Sequence, residues 1–145
     1  SKRRGRKMYF KWKDEYSTGI ETIDKQHKHL LEIGSRIYEL ADASDGADHY
    51  DEIMAILSEL KDYTVYHFGY EEKLMEQHGY EHYEPHKFQH YFVMKKIKKF
   101  ESEDIDNKQK ETILDLVRFI FDWITNHILK EDMMYRDFFL SKGVK

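Results

Sequence analysis

The chain has no cysteine at all, so neither a disulfide framework nor a thiolate metal site is available to it. A single proline and seven glycines in 145 residues leave too few chain breakers for a sheet of short, turn-punctuated strands. Long apolar runs are missing as well. "RFIFDWI" is broken by Asp122, and nothing approaches the roughly 18 residues that a membrane helix requires. The first seven residues, "SKRRGRK", include five basic ones, but the "MYFKWKDEY" that follows is too polar for the apolar part of a secretion signal. A cytoplasmic protein with no membrane partner is therefore expected.

Positive charge is also scarce outside that start. The formal net charge is −4 overall, and without the basic tail it is −9, with 19 basic residues against 28 acidic. An acidic body argues against nucleic acid as a partner. Residues 1–7 read as a basic tail or linker remnant and residues 8–145 as one domain, the length suiting a single core. Met8 is a candidate natural start, which favours a free protein; a linker remnant favours a piece of a larger signalling chain.

What is abundant is apolar and charged residues together, 40% and 36%, the balance of amphipathic helices. Four stripes carry the pattern. The first runs Ile20, Ile23, His27, Leu30, Gly34, Ile37, Ala41, and the second Ile53, Leu57, Leu60, Thr64, His67, Glu71, Leu74. The third runs His86, His90, Val93, Ile97, Phe100, with Pro85 in its first turn, and the fourth Ile113, Leu116, Ile120, Trp123, His127. Polar links such as "ADASDGAD" and "ESEDIDNK" separate them, and Gly79 is placed to stop the second. The expected fold is all-α, an antiparallel up-down four-helix bundle with an N-terminal arm whose Phe10 and Trp12 pack against it as a lid.

Antiparallel alternation brings His27, His67, His86 and His127 to one level, at one end of the bundle. A lone inward histidine is more often a core residue bonded to a carbonyl or a tyrosine. Five at one level, with Glu71, are different: each buried polar group left without a partner costs about 1 to 3 kcal/mol, and a metal centre satisfies them together. His67/Glu71 and His86/His90, each four apart, present two donors on one helix face. His29 lies off its stripe, His49 in a link, His78 at a fraying end and His82 before Pro85, so these four are left out of the site. The remaining donors exceed a closed four-ligand site, and two ions sharing carboxylates use them better. Without thiolate the set suits iron, with manganese, cobalt and zinc open on affinity. Helical spacing favours Glu131, four residues after His127, as the last donor.

The segments "DKQHKHL", "HFGYEEKLM", "HKFQH" and "DWITNHILKED", in that order and at that spacing, resemble the bacterial hemerythrins over about Met8 to Leu140. The resemblance implies two iron ions joined by an oxo or hydroxo bridge inside a four-helix bundle. It implies His86, His90 and His127 on one iron, His27 and His67 on the other, and Glu71 and an acid bridging both. The family's acid stands five residues after the histidine, which selects Asp132 over Glu131. The implied function is reversible binding of dioxygen by a carrier, store, or oxygen or redox sensor, with no catalytic residues. The resemblance implies a vacant position for dioxygen on the iron of His27 and His67, and Leu30, Phe68, Trp123 and Ile128 match the apolar wall around it. The alternatives are a di-iron oxidase, peroxidase, or peroxide- or nitric-oxide-handling enzyme, and a metal-free helical interaction domain.

Overall fold

The structure is a computed structural model that describes residues 11–41, 49–102 and 110–144, with the side chains of residue 41 and residues 110–114 left aside. The basic tail and Phe10 lie outside the described residues. A single turn of 3-10 helix, Asp14–Tyr16, leads into four long helices: α1 (Glu21–Ala41), α2 (Tyr50–His78), α3 (Tyr83–Ser102) and α4 (Lys110–His127). The chain then widens into a π-helical segment, Ile128–Asp132, and continues as α5 (Met133–Ser141). α1 packs on α2 and α4, and α2 packs on α3, which is the neighbour relation of an up-down four-helix bundle.

The ends are set by local chemistry. Before α1, the Ser17 hydroxyl donates to Asp24 Oδ2 at 2.6 Å, and the Thr18 amide and hydroxyl donate to Asp24 Oδ1 at 2.8 Å each. The Ile20 amide donates back to Thr18 Oγ1 at 3.1 Å, so a ring of side chains takes up first-turn donors that have no intrahelical partner. α2 stops at Gly79, whose φ of 69° is the left-handed conformation expected at a helix C-terminus. Pro85 stands in the first turn of α3, and His82 falls just before that helix.

The stripes bury as their spacing predicts. Ile20, Ile23, His27, Leu30 and Ile37 are at most 2% exposed, and every third-stripe position from His86 to Phe100 is buried. Thr64 is tolerated in the core because its hydroxyl donates to the Leu60 carbonyl at 2.6 Å. Two positions differ among the described side chains, which leave out Ala41 and Ile113: Trp123 is half-buried, and so is Leu74, with Met75 taking the interior place at 0% exposure. Trp12 packs on the bundle edge-to-face against Tyr16, with Lys28 over its ring at 5.0 Å, in line with the expected lid.

The apolar interior has two parts. The larger runs along the bundle from Leu30 and Phe68 to Phe100 and Leu116. The smaller, Ile20, Ile23, Met75, Tyr80, Tyr135 and Phe139, closes one end. Tyr135 and Phe139 come from α5, beyond the four stripes, and both are fully buried. Between these parts, on α1 to α4 and the π-helical segment, stand His27, His67, Glu71, His86, His90, His127 and Asp132, all at most 5% exposed. Among the described residues, no helix is long and apolar enough to cross a membrane.

Candidate metal centre

The inward histidines and carboxylates gather into two adjoining sets. His86, His90, His127 and Asp132 form one, and His27, His67 and Glu71 the other, each with donor atoms within 4.8 Å of one another. His127 Nε2 lies 2.9 Å from His86 Nε2, 3.1 Å from His90 Nε2 and 3.0 Å from Asp132 Oδ1. One imidazole proton cannot serve three such neighbours. Asp132 faces both ways: Oδ1 is also 3.0 Å from His86 Nε2, while Oδ2 is 3.1 Å from His27 Nε2. Glu71 Oε1 sits 2.8 Å from His67 Nε2 and 3.7 Å from His90 Nε2.

These contacts are short, yet Asp132 Oδ1 and Oδ2, Glu71 Oε1 and His27 Nε2 make no hydrogen bond of acceptable direction. Donor atoms converge on shared points, which is what a bound cation needs. Metal–nitrogen bonds of about 2.1 Å at right angles put adjacent donors about 3.0 Å apart, whereas a tetrahedral ion spreads the same bonds to about 3.4 Å. Spacings of 2.8 to 3.1 Å fit the octahedral edge. The donors are imidazole nitrogen and carboxylate oxygen only, so the set fits a borderline ion such as iron.

Outer partners fix the rings. His67 Nδ1 meets Gln26 Oε1 at 2.5 Å, His90 Nδ1 meets Glu72 Oε2 at 2.9 Å, and His127 Nδ1 meets Gln89 Oε1 at 3.0 Å. Each acceptor takes the Nδ1 proton and leaves the Nε2 lone pair aimed inward. The Tyr135 hydroxyl donates to Glu71 Oε2, and its ring lies almost parallel to His86 at 5.6 Å. Gln26, Glu72 and Gln89 each adjoin an inward donor in sequence, a signal that points to them only once the donors are known. Tyr135 continues the Asp132 face by three residues and Phe139 by seven, a spacing that marks α5 as amphipathic.

Charge follows from this geometry. Burial pulls the His27 and His86 imidazoles down, but Asp132 beside them more than compensates and holds both above their ordinary value. Burial pushes Asp132 up, yet His127, His27 and His86 hold its carboxyl well below the carboxylate range. Burial and Asp132 likewise push Glu71 up, and His67 with His90 outweigh them to leave it at about 2. His90 goes the other way, to about 4, because burial prevails over Glu72 and Glu71. Burial and the two inner carboxylates raise Tyr135, which keeps its proton and so remains a donor to Glu71.

The choice between Glu131 and Asp132 is visible in the backbone. In a regular helix a residue five places on points about 140° away around the axis. The π-segment Ile128–Asp132 widens that turn and returns Asp132 to the face of His127. Asp132 is fully buried, while Glu131 is half-buried and belongs to neither donor set.

Of the residues expected to wall the site, Leu30, Phe68 and Ile128 are buried in the larger core cluster and Trp123 packs against it half-buried. The Phe68 ring stacks on His90 with centroids 3.8 Å apart, and Trp123 stacks on His127 at 4.5 Å. His29, His49, His78 and His82 belong to neither donor set. His29 packs on Tyr63 and His78 on Phe139.

Fold and site together define a helical bundle whose inward histidines and carboxylates, gathered at one end, could hold cations. Residues 18–138 match the Hemerythrin HHE cation binding domain. The bacteriohemerythrin of Clostridium acetobutylicum is 40% identical over 128 residues, covering 88% of this chain and 99% of that one. That of Pseudomonas aeruginosa strain LESB58 is 34% identical over 131 residues, covering 87% of this chain and 78% of its own. The crystal structure of a wild-type hemerythrin superposes with a TM-score of 0.68 at 30% identity, covering 88% of this chain and 95% of the other. The chain belongs to the hemerythrin family.

Replacing Tyr135 with Phe removes the one hydroxyl on Glu71 Oε2 while keeping the ring on His86. Loss of such an outer partner weakens metal binding by about tenfold or more. The expected result is iron loss to a chelator about tenfold faster with the same number of ions at the start.

Proposed function

We propose that the chain binds dioxygen reversibly at two iron ions with an oxo or hydroxo bridge, as an oxygen carrier, store or sensor. The observation that carries this reading is the asymmetry of the two donor sets on either side of Asp132. His86, His90 and His127 serve one ion, His27 and His67 the other, and Glu71 and Asp132 reach both. With shared carboxylates, the His27/His67 side is one protein ligand short. Leu30, Phe68, Trp123 and Ile128 supply the apolar wall of the site, Phe68 reaching both His67 and His90 and Trp123 lying against His127. Two ferrous ions, if held by these residues, would supply the two electrons needed for reversible dioxygen binding.

The chain's own part is to hold and to exclude. Gln26, Glu72 and Gln89 fix ring tautomers, Tyr135 steadies Glu71, and the wall keeps out the water and protons that drive loss of reduced oxygen. A donor set rich in neutral imidazole favours binding over oxygen activation, since O2-activating bundles carry two Glu-x-x-His motifs and more carboxylates. Dioxygen is the proposed partner, and in a larger signalling chain a neighbouring domain would be a second. The cytoplasm is the proposed location.

The test is to load the protein with ferrous iron without air and cycle it between oxygen and nitrogen while following its optical spectrum. The reading predicts a band that appears and vanishes over repeated cycles. Irreversible bleaching, or steady turnover of peroxide or an organic substrate, would replace it with an enzyme. Leu30→Asn and Ile128→Asn test the wall. Each is expected to speed autoxidation about tenfold, a barrier change of roughly 1.4 kcal/mol, with iron content unchanged.

A further inference from the structure

The outward side of α3 has no part in the metal centre. Its inner positions are spent on His86, His90, Val93 and Ile97, yet Phe88, Tyr91 and Phe92 stand 68%, 62% and 54% exposed on the opposite side. With Phe119 and Leu116 of α4 they line a groove of about 710 Å³. Phe88 to Phe100 spans about 18 Å at 1.5 Å per residue, the length of a helix of three to four turns. Lone exposed apolar residues are ordinary, but a continuous aromatic groove is a feature of binding surfaces.

Charge selects the occupant. Among the described residues lining the groove, Lys95, Lys96 and Lys99 stand against one acid, Asp115, on a chain whose net charge is −4. Lys96 lies 4.3 Å above the Phe119 ring, so cation and aromatic surface share one wall. A second copy docked face to face would set these lysines against themselves. An anionic membrane would be repelled by the acidic body, and a concave groove suits an inserted ridge better than a flat surface. We infer that the α3/α4 groove docks an acidic amphipathic helix of another polypeptide, apolar ridge against Phe88, Phe92 and Phe119, glutamates or aspartates against Lys95 and Lys99.

Two 14-residue helical peptides test this on the full iron-loaded chain, one with a leucine ridge and glutamates elsewhere, the other with the same ridge and lysines. The glutamate peptide should bind saturably, with amide shifts confined to residues 88–100 and 115–119. Lys95→Glu with Lys99→Glu should weaken it about tenfold or more, and Phe92→Ser should abolish it. These positions are on the surface, and unchanged iron content and circular dichroism show that the variants fold. Equal binding of the lysine peptide, or shifts elsewhere, would overturn the inference. So would an occupant of another kind: micromolar self-association lost in Phe92→Ser, binding to anionic vesicles but not to the peptide, or peptide binding only after the acids of residues 103–106 are neutralised.

Discussion

Asp132→Ala is expected to lower the iron content from two ions per chain to one or none, while Glu131→Ala leaves it at two. The two acids are neighbours in sequence, and simple helical periodicity prefers Glu131. The π-segment reverses that preference by turning residue 132 back onto the face of His127. Asp132 is then the only described side chain with one oxygen at 3.0 Å from His86 and His127 and the other at 3.1 Å from His27. Its removal strips a donor from each set and leaves three inward imidazoles without their shared anion. Removing a charged partner from a buried pair costs about 3 to 5 kcal/mol, so the metal-free variant should also lose stability. The opposite pattern, iron lost in Glu131→Ala and kept in Asp132→Ala, would reject the role given to the π-segment.

Metal removal should reverse the direction in which pH acts on stability. In the metal-free chain His27 and His86 sit above the ordinary imidazole value because of Asp132. Their contribution is present below about pH 6.5, the unfolded value, and is lost as pH rises through the higher folded value. Asp132 and Glu71 are held low, so their contribution is present above about pH 4.5 and is lost as pH falls, for Glu71 toward about 2. His90, held near 4, opposes the other two imidazoles: the unfolded chain takes up that proton first as pH falls from about 6.5. Above about pH 7 His90 is neutral in both states, so only the loss from the two raised imidazoles remains and the metal-free protein weakens from pH 7 to 8. The iron-loaded protein should behave oppositely over that range, because acid puts protons on the nitrogens that hold the ions. Free iron at about a thousand times its dissociation constant adds about 4 kcal/mol, roughly 10 °C in melting temperature for a chain of this size. Thermal melts of both forms at pH 7 and 8 check this, and parallel pH profiles would contradict it.

Much of this arrangement is legible in the sequence. The four stripes are strong because most of each described face is buried, so His27, His67, Glu71, His86, His90 and His127 could be set at one level from spacing alone. Asp132 was not available that way. Periodicity assumes a uniform turn, and the π-segment breaks that assumption at the residue where the choice matters; only the likeness to a family carried the five-residue spacing. The same break hid α5, since a stripe ending at His127 says nothing of Tyr135 and Phe139 closing the end of the bundle. Gln26, Glu72 and Gln89 were out of reach for another reason. A polar residue beside an inward histidine is an ordinary surface residue until a ring nitrogen on a different helix or turn comes within 3 Å, and that distance belongs to tertiary packing.

The account rests on two ions held by seven side chains. Native mass spectrometry of the chain, loaded with ferrous iron without air and then desalted, counts them most directly. The prediction is a single folded species carrying two iron ions per chain. A species that is equally folded with one ion, or with none, would contradict it.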